Sequence, residues 1–336
     1  MGKMIKHPFC LTILSITFFV VLFFLFYVLW SPGVDIKDGR YDLRHNGIWI
    51  QHGWLGDDEW FARNQKQDRI PFFRDGTRIQ ELTSQLRKHH ITDVFPHLCP
   101  TLKNGRIPSV DHKQTELFLE KFEGFRVIPW VGGVLNKHIF PGDPKWRKNF
   151  RESILDLLRT HQKFQGVHIN IEPWPSGNQD IVTLLEEVRK ILPKGKIISV
   201  AAFPPPTFWQ PTKGTHWDEA YFREIAKHVD QMVVMMYDTS INYRKFYQHL
   251  MASWTKEVLG WTQGTAALLG VPSYSDEGVV YHNPDVENLS NSLRGIYAGL
   301  SRYKKIPSNY QGIALYCEWE MDEPEWQYLR KHFLKP

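Results

Sequence analysis

Hydrophobic runs of strand length alternate with amphipathic stretches of helix length along most of the chain. The predicted strands are 46–51, 92–97, 126–131, 166–172, 196–202, 231–237, 267–272 and 312–318. The stretches between them place apolar residues at helical spacing. Strands that alternate with such helices predict parallel pairing through right-handed crossovers. Eight strand–helix units predict an α/β fold, a (β/α)8 TIM barrel over residues 46–336.

A doubly wound open sheet is the alternative arrangement of alternating strands and helices. Such a sheet normally carries a glycine-rich phosphate loop after its first strand. The corresponding segment, 51–59, reads QHGWLGDDE and does not have that pattern. The barrel is therefore favoured.

The N-terminal part of the chain has a different pattern, because residues 9–30 contain no charged side chain. This length suits one helical crossing of a bilayer. Lys3 and Lys6 precede the run, whereas the charges that follow it nearly cancel. A cleavable signal peptide is the alternative, but its apolar region would be shorter and would end in small residues. We predict a transmembrane anchor at 9–30.

The positive-inside rule sets the expected orientation of this anchor. Residues 1–8 are predicted to lie in the cytoplasm, and 31–45 to form a linker outside it. The barrel domain would then face the cell exterior or the periplasm, held at the membrane by a single helix.

The fourth predicted strand, GVHINIE, alternates in character along its length. Side chains of a strand point alternately to opposite faces. One face is therefore aliphatic, while the other carries His168, Asn170 and Glu172. Buried polar groups need partners. Because catalytic residues of TIM barrels lie at the carboxyl ends of strands, Glu172 is predicted to be a catalytic carboxyl group.

Aromatic and carboxyl side chains also follow the other predicted strands at the same face of the barrel. The candidates for substrate binding are Asp238, Trp130, His168, Tyr274, Tyr316 and Trp319, with Tyr237 beside the catalytic pair. Flat rings with a few polar groups suit a carbohydrate ligand. For His168, a structural role in the barrel interior is an open alternative.

The composition of the chain limits the classes of ligand and partner that are expected. Aromatic residues make up 14% of the chain and include 13 Trp, while the net charge is only +5. No basic block with interleaved aromatics occurs, so nucleic-acid binding is not expected. The three cysteines have no metal-ligand spacing, and we expect no metal or cofactor. Cys99 and Cys317 are expected to be buried thiols. Nothing in the sequence indicates an oligomeric state.

Several segments together resemble glycoside hydrolase family 18, which contains chitinases and endo-β-N-acetylglucosaminidases. The strand GVHINIE is similar to the family's D-G-x-D-x-D-x-E strand, and MMYD at 235–238 matches M-x-Y-D. PWVGG at 129–133 is similar to S-x-G-G. Segments 270–274 and 312–322 resemble the last two strands. The resemblance covers most of 46–333.

This resemblance implies a general acid at Glu172 and attack by the substrate's own 2-acetamido oxygen. The family's aspartates are replaced by Gln165, His168 and Asn170. The sequence Asn170-Ile171-Glu172 is similar to the N-x-E of family 85, in which an Asn orients the acetamido group. Tyr237 would contact the same group, so N-acetylated glycans are the implied substrates.

Two other functions stay open at this point. The segment NIEP is similar to the N-E-P of retaining glycosidases with two glutamates, but Ile171 intervenes and the seventh strand, ALLGVP, supplies no second Glu. A two-carboxylate mechanism would need Glu318 or Asp238. The other alternative is a lectin-like barrel, which binds glycans without cleaving them; retention of Glu172 favours an enzyme.

Overall fold

The computed structural model describes residues 8–208, 210, 212–275 and 280–336, with only the backbone for 8–11. Lys3 and Lys6, whose positive charges support the predicted orientation of the anchor, lie outside the described residues. The α-helices within it are α1 Pro8–Leu29, α2 Asp58–Arg63, α3 Ile70–Arg74, α4 Gly76–Lys88, α5 His112–Lys121, α6 Pro144–Thr160, α7 Gln179–Ile191, α8 Glu219–Ala226, α9 Arg244–Trp261, α10 Leu289–Leu300 and α11 Glu323–His332.

The strands form one parallel sheet. They are β1 Asn46–Ile50, β2 Ile91–Pro96, β3 Arg126–Val127, β4 Trp130–Val134, β5 Gly166–Glu172, β6 Ile197–Ala202, β7 Gln231–Met235, β8 Ala266–Pro272 and β9 Tyr310–Tyr316. Their order is β3-β2-β1-β9-β8-β7-β6-β5-β4. This curled sheet, with helices on its outer side, is consistent with the predicted TIM-type α/β fold.

The third predicted strand, 126–131, is interrupted in the structure. β3 and β4 are separated by Ile128 and Pro129, because proline has no N–H to donate to a neighbouring strand. An isolated parallel bridge between His97 and Trp130 links the end of β2 to β4. The sequence therefore identified this strand but not its break.

Local sequence signals explain where the helices begin. In seven of them an Asp or Asn side chain accepts a hydrogen bond from the first turn. Such caps satisfy N–H groups that have no partner inside the helix. α2, α3 and α9 begin without such a side-chain cap.

Helix α1 projects from the barrel. Its segment Thr12–Leu29 is long and apolar enough to cross a membrane, and no part of that segment is buried in the protein. By length and composition it could be a membrane anchor or a signal sequence.

A chain of buried polar groups crosses the barrel interior below the cleft. Trp49 Nε1 donates to His168 Nε2 at 3.1 Å, so the His168 proton lies on Nδ1, which is 2.8 Å from Ser199 Oγ. Ser199 donates to Gln231 Oε1 at 2.7 Å, and Gln231 donates to Asp93 at 2.6 Å. Burial lowers the pKa of His168 to about 3. The imidazole is thus neutral, and both of its nitrogens are satisfied.

Candidate active site

A cavity of about 580 Å³ opens at the carboxyl ends of the strands. Six of the nine predicted site residues line it: Glu172, Asn170, Tyr237, Asp238, Trp130 and Tyr316. They come from β4, β5 and β9 and from the residues directly after β7. The barrel topology therefore brings together side chains that are far apart in the sequence.

The alternation predicted for β5 accounts for this placement. Val167, Ile169 and Ile171 are buried in the cluster that also contains the outer helices. The polar side chains consequently point to the other side of the sheet. Gly132 on β4 allows the neighbouring strand to come close, since a Cβ at that position would lie 1.8 Å from the carbonyl oxygen of Asn170.

Glu172 occupies the last position of β5. Its side chain is exposed to the cavity, yet protein atoms enclose the carboxyl group on its other sides. This desolvation raises the pKa of Glu172; the hydrogen bond from Asn170 opposes the increase, and the negative charge of Asp238 adds to it. A raised pKa keeps a carboxylic acid protonated closer to neutral pH, as a general acid requires.

Asn170 lies beside Glu172 on the same face of β5. Its Nδ2 donates to Glu172 Oε1 at 2.7 Å. The other amide atom, Oδ1, is buried and has no hydrogen-bond partner among the described residues. A buried acceptor without a partner is costly. It therefore identifies a position where a donor from a ligand would be stabilised.

Aromatic rings form one wall of the cavity. Tyr237 and Tyr316 stack with ring centroids 5.5 Å apart. Tyr316 also makes edge-on contacts with Trp49 and Trp130, at 5.6 and 6.3 Å. Trp130 Nε1 is a buried donor that has no partner within the described part of the chain. The wall thus combines flat apolar surface with an available N–H group, as carbohydrate sites do.

Asp238 is held by a polar cluster behind the cavity. It accepts a hydrogen bond from the Tyr274 hydroxyl, and His282 Nδ1 lies 3.2 Å from its carboxylate. The other nitrogen of His282 lies 3.2 Å from the carbonyl oxygen of Tyr274. Glu287 accepts the backbone N–H of Thr239 with both carboxylate oxygens.

The charges in this cluster are coupled. Burial disfavours the charged form of His282, but its contact with Asp238 and the charges of Glu287 and Asp238 outweigh burial and raise its pKa. Burial raises the pKa of Glu287 to about 7. His282 lies between the carboxyl groups of Asp238 and Glu287, and the Tyr274 hydroxyl and His282 together position the Asp238 side chain at the edge of the cavity.

Three predicted substrate-binding residues do not line this cavity. His168 is fully buried below it and bonded on both ring nitrogens, which places it in the barrel interior and outside the cavity lining. Tyr274 lies behind Tyr237 and bonds Asp238. Trp319 lines a neighbouring cavity, also of about 580 Å³.

Other residues that line the cavity were not identified from the sequence. Trp49 is one, although its alternation with Ile48 and Ile50 would have placed it in the barrel interior. The rest include Gln210, Thr212, Thr215 and His216, from the loop after β6. A loop has no periodicity from which the direction of its side chains can be read.

Two groups of described side chains have metal-ligating atoms within 4.8 Å of one another: His112, Glu116 and His161, and Asp238, His282 and Glu287. In each group a histidine already contacts a carboxylate, at 2.6 Å in the first and 3.2 Å in the second. These mutual contacts account for the clustering. Cys99 and Cys317 are both buried thiols, as expected.

Comparison with solved structures identifies similar folds. The spore cortex-lytic enzyme SleL from Bacillus cereus is 12% identical, with 87% of this chain and 76% of that chain covered and a TM-score of 0.54. The putative Chitinase A from Streptomyces coelicolor is 13% identical over 87% and 98%, with a TM-score of 0.53. A chitinase from Chromobacterium violaceum is 12% identical over 75% and 94%, with a TM-score of 0.52.

At these identities the structural likeness shows the fold alone. The comparison with curated protein sequences gives no significant match. The model of glycosyl hydrolases family 18 matches residues 61–330, which is most of the chain. The chain therefore belongs to glycosyl hydrolases family 18, and the protein is a glycosidase.

Proposed function

We propose that this glycosidase cleaves glycans containing N-acetylhexosamine by a retaining, substrate-assisted mechanism. Glu172 is the general acid and then the general base, Asn170 orients the 2-acetamido group, and Tyr237 contacts its carbonyl. The main support for the proposal is the side chain of Asn170. Its Nδ2 donates a hydrogen bond to Glu172, while its Oδ1 is a buried acceptor without a partner among the described residues.

In the first step, Glu172 transfers its proton to the glycosidic oxygen. The bond between that oxygen and the anomeric carbon breaks as the acetamido oxygen attacks the carbon, and a bicyclic oxazolinium forms. Asn170 Oδ1 accepts the acetamido N–H, which becomes more acidic as positive charge develops there. This use of the substrate's own nucleophile is a recognised exception to the two-carboxylate scheme.

In the second step, the Glu172 carboxylate takes a proton from water as the water oxygen attacks the anomeric carbon. The ring opens, the acetamido group is restored and Glu172 is again protonated. Two successive inversions give net retention. The same residue acts as acid and then as base, so its pKa must be close to the working pH.

The arrangement of the other carboxyl groups favours this mechanism over one with two carboxylates. Glu318 is not among the residues that line the cavity. Asp238 lines it but is engaged by Tyr274 and His282. Asn170-Ile171-Glu172 fits the N-x-E pattern of family 85, in which an amide orients the substrate.

The proposal includes location and architecture. We take the sheet to close as an eight-unit barrel, with β3 and β4 as parts of its third strand.

We take residues 9–30 as an uncleaved membrane anchor, with the N-terminus in the cytoplasm and the catalytic domain outside. The support is the length of the apolar helix and the absence of buried residues in its Thr12–Leu29 segment.

The test uses the full chain in detergent and three substrates with the same linkage: an oligomer of N-acetylglucosamine, its deacetylated form and a glucose oligomer. Only the acetylated oligomer should give new reducing ends. Glu172→Gln should lower kcat by about 10²–10⁴-fold and leave binding of the acetylated oligomer largely intact. A lectin would bind without releasing sugar in either variant.

A matched carboxyl variant separates the mechanisms. Glu318→Gln should retain activity on the acetylated oligomer, since Glu318 does not line the catalytic cavity. Substrate assistance would be contradicted if the glucose oligomer were cleaved at a comparable rate. It would also be contradicted if Glu318→Gln lost turnover while Glu172→Gln stayed active.

A further inference from the structure

The C-terminal end of helix α1 is fixed to the barrel domain. Lys245 Nζ donates to the carbonyl oxygens of Tyr27 and Val28, at 2.7 and 2.9 Å. Carbonyl groups in the last turn of a helix have no partner within it, and a lysine is favoured there. The ring of Trp30 packs on Phe246, with centroids 5.3 Å apart. These contacts orient the apolar helix relative to the barrel.

The contact lies at the face of the barrel that carries the active site. Lys245 is in the first turn of α9, which follows β7. A helix that follows a barrel strand begins at the strand's carboxyl end. The chain leaving α1 then runs over the outside of the barrel, where the N–H of Val34 bonds the carbonyl of Arg294 in α10 at 3.0 Å. A bilayer that contains α1 would therefore lie over the active-site face.

Exposed apolar side chains occur on this same face. The exposed fractions are 92% for Phe208, 97% for Val280, 61% for Tyr243 and 55% for Tyr281. These residues belong to the loops that follow β6, β7 and β8. Four such side chains on neighbouring loops form a surface suited to a membrane interface, where tyrosine and other aromatic residues are enriched.

Two of these exposed side chains lie at the same level as the C-terminal part of α1. Phe208 and Tyr243 line one groove of about 880 Å³ together with Phe23 and Phe26 of α1. At 1.5 Å per residue, Phe23 lies only about 9 Å from the end of the helix. Phe208 and Tyr243 are thus level with the last two turns of the predicted span.

This groove adjoins the catalytic cavity. Gln210 and Ser240 line both, and Tyr281 lines the catalytic cavity as well as contributing to the exposed surface. A molecule lying at the bilayer surface can therefore reach the cavity without passing another part of the barrel.

We propose that α1 holds the cleft open toward the bilayer surface, with Phe208, Tyr243, Val280 and Tyr281 at the boundary between the headgroups and the acyl chains. The substrate is then an N-acetylhexosamine saccharide carried on a membrane lipid. This inference rests on the proposed function, both for the acetamido chemistry and for the membrane span. A lipid-borne saccharide is delivered to the cavity by diffusion in the membrane plane, whereas a free polymer must enter between the barrel and the bilayer.

The orientation can be measured without any substrate. The full chain with Cys10→Ser is reconstituted in vesicles after Phe208→Cys or Tyr243→Cys is labelled with an environment-sensitive fluorophore. Leu43→Cys is the matched control, since Leu43 is 37% exposed and precedes β1, at the amino-terminal end of the strands. Lipids spin-labelled at the headgroup should quench the probes at 208 and 243 but not at 43. Equal quenching at the three positions would overturn the orientation.

The substrate class is tested with one acetylated oligosaccharide in two forms, free in solution and attached to a lipid in the same vesicles. We expect the reconstituted enzyme to favour the lipid-borne form by at least about tenfold, because both partners are confined to one surface. The double variant Phe208→Ser and Tyr243→Ser should reduce this ratio, and Leu43→Ser, at the opposite end of the strands, should leave it unchanged.

The outcomes separate the inference from the function on which it rests. Cleavage of both forms at equal rates would contradict the membrane-facing cleft and leave the proposed function standing. Cleavage of neither form would contradict the proposed function, and with it the lipid-borne substrate.

Discussion

Asn170 donates a 2.7 Å hydrogen bond to Glu172, two positions further along the same face of β5. The bond fixes the amide so that its oxygen is left without a partner in the described structure. It also ties the pKa of Glu172 to the nature of residue 170, because a hydrogen bond to a carboxylate stabilises the charged form.

Asn170→Asp should move the alkaline limb of the pH–rate profile to higher pH. The substitution removes the N–H donor and adds a second acidic group beside Glu172, and both changes favour protonated Glu172. We expect this shift toward higher pH in the profile of kcat/KM on an acetylated substrate. A limb at unchanged or lower pH would show that Glu172 does not control it.

Asn170→Ala tests the orienting role separately. The variant cannot accept the acetamido N–H, so kcat should fall by about 10²–10³-fold. Because the deacetylated substrate lacks that N–H, any background rate on it should stay the same. An equal loss on both substrates would indicate general damage to the cavity.

Asp238→Asn should move the alkaline limb of the pH–rate profile to lower pH. The negative charge of Asp238 raises the pKa of Glu172, so its removal lowers that pKa. Glu172 then loses its proton at lower pH, and the acid-catalysed step declines earlier as pH rises. The check is the pH dependence of kcat/KM for wild type and variant at equal ionic strength; a shift to higher pH would contradict the assignment.

Ser199→Ala should affect stability rather than catalysis. The variant leaves the Nδ1 proton of His168 and the Gln231 side-chain oxygen without their partner. Unsatisfied buried groups cost about 1–3 kcal/mol each, so denaturant unfolding should show a loss of that order. Activity of the folded enzyme should change little, since neither Ser199 nor His168 lines the cavity. A selective loss of kcat with unchanged stability would contradict a purely structural role for His168.

Glu318→Gln should flatten the pH dependence of stability. Burial raises the pKa of Glu318 from 4.5 to about 7. Between these values the unfolded chain releases a proton that the folded chain retains, so the free energy of unfolding falls as pH rises. This group alone accounts for a loss of up to about 3 kcal/mol.

The measurement is urea unfolding at pH 5 and pH 8 for wild type, Glu318→Gln and the exposed-site control Glu120→Gln. The stability difference between the two pH values should shrink only in Glu318→Gln. Glu287 and Glu325, whose pKa values are also raised to about 7 by burial, act in the same direction and remain in every variant.

Much of the fold was predictable because its signals are local. The period of two in β5 and the alternation of strands with amphipathic helices depend only on neighbouring residues. The same holds for the placement of Glu172 and Asn170 on one face. The break after Val127 was missed, although Pro129 in the predicted strand was the available signal.

The sequence by itself determined which residues share a strand face, where the chain is apolar enough to span a membrane, and that a carboxyl and an amide stand together at a strand end. The tertiary structure alone decided what surrounds them. His168 bonds Trp49 and Ser199 below the cavity, and His282 holds Asp238 in place. Such contacts join residues far apart in the chain. They depend on which strands pair and on the paths of the loops, and neither produces a periodic pattern of residues in the sequence.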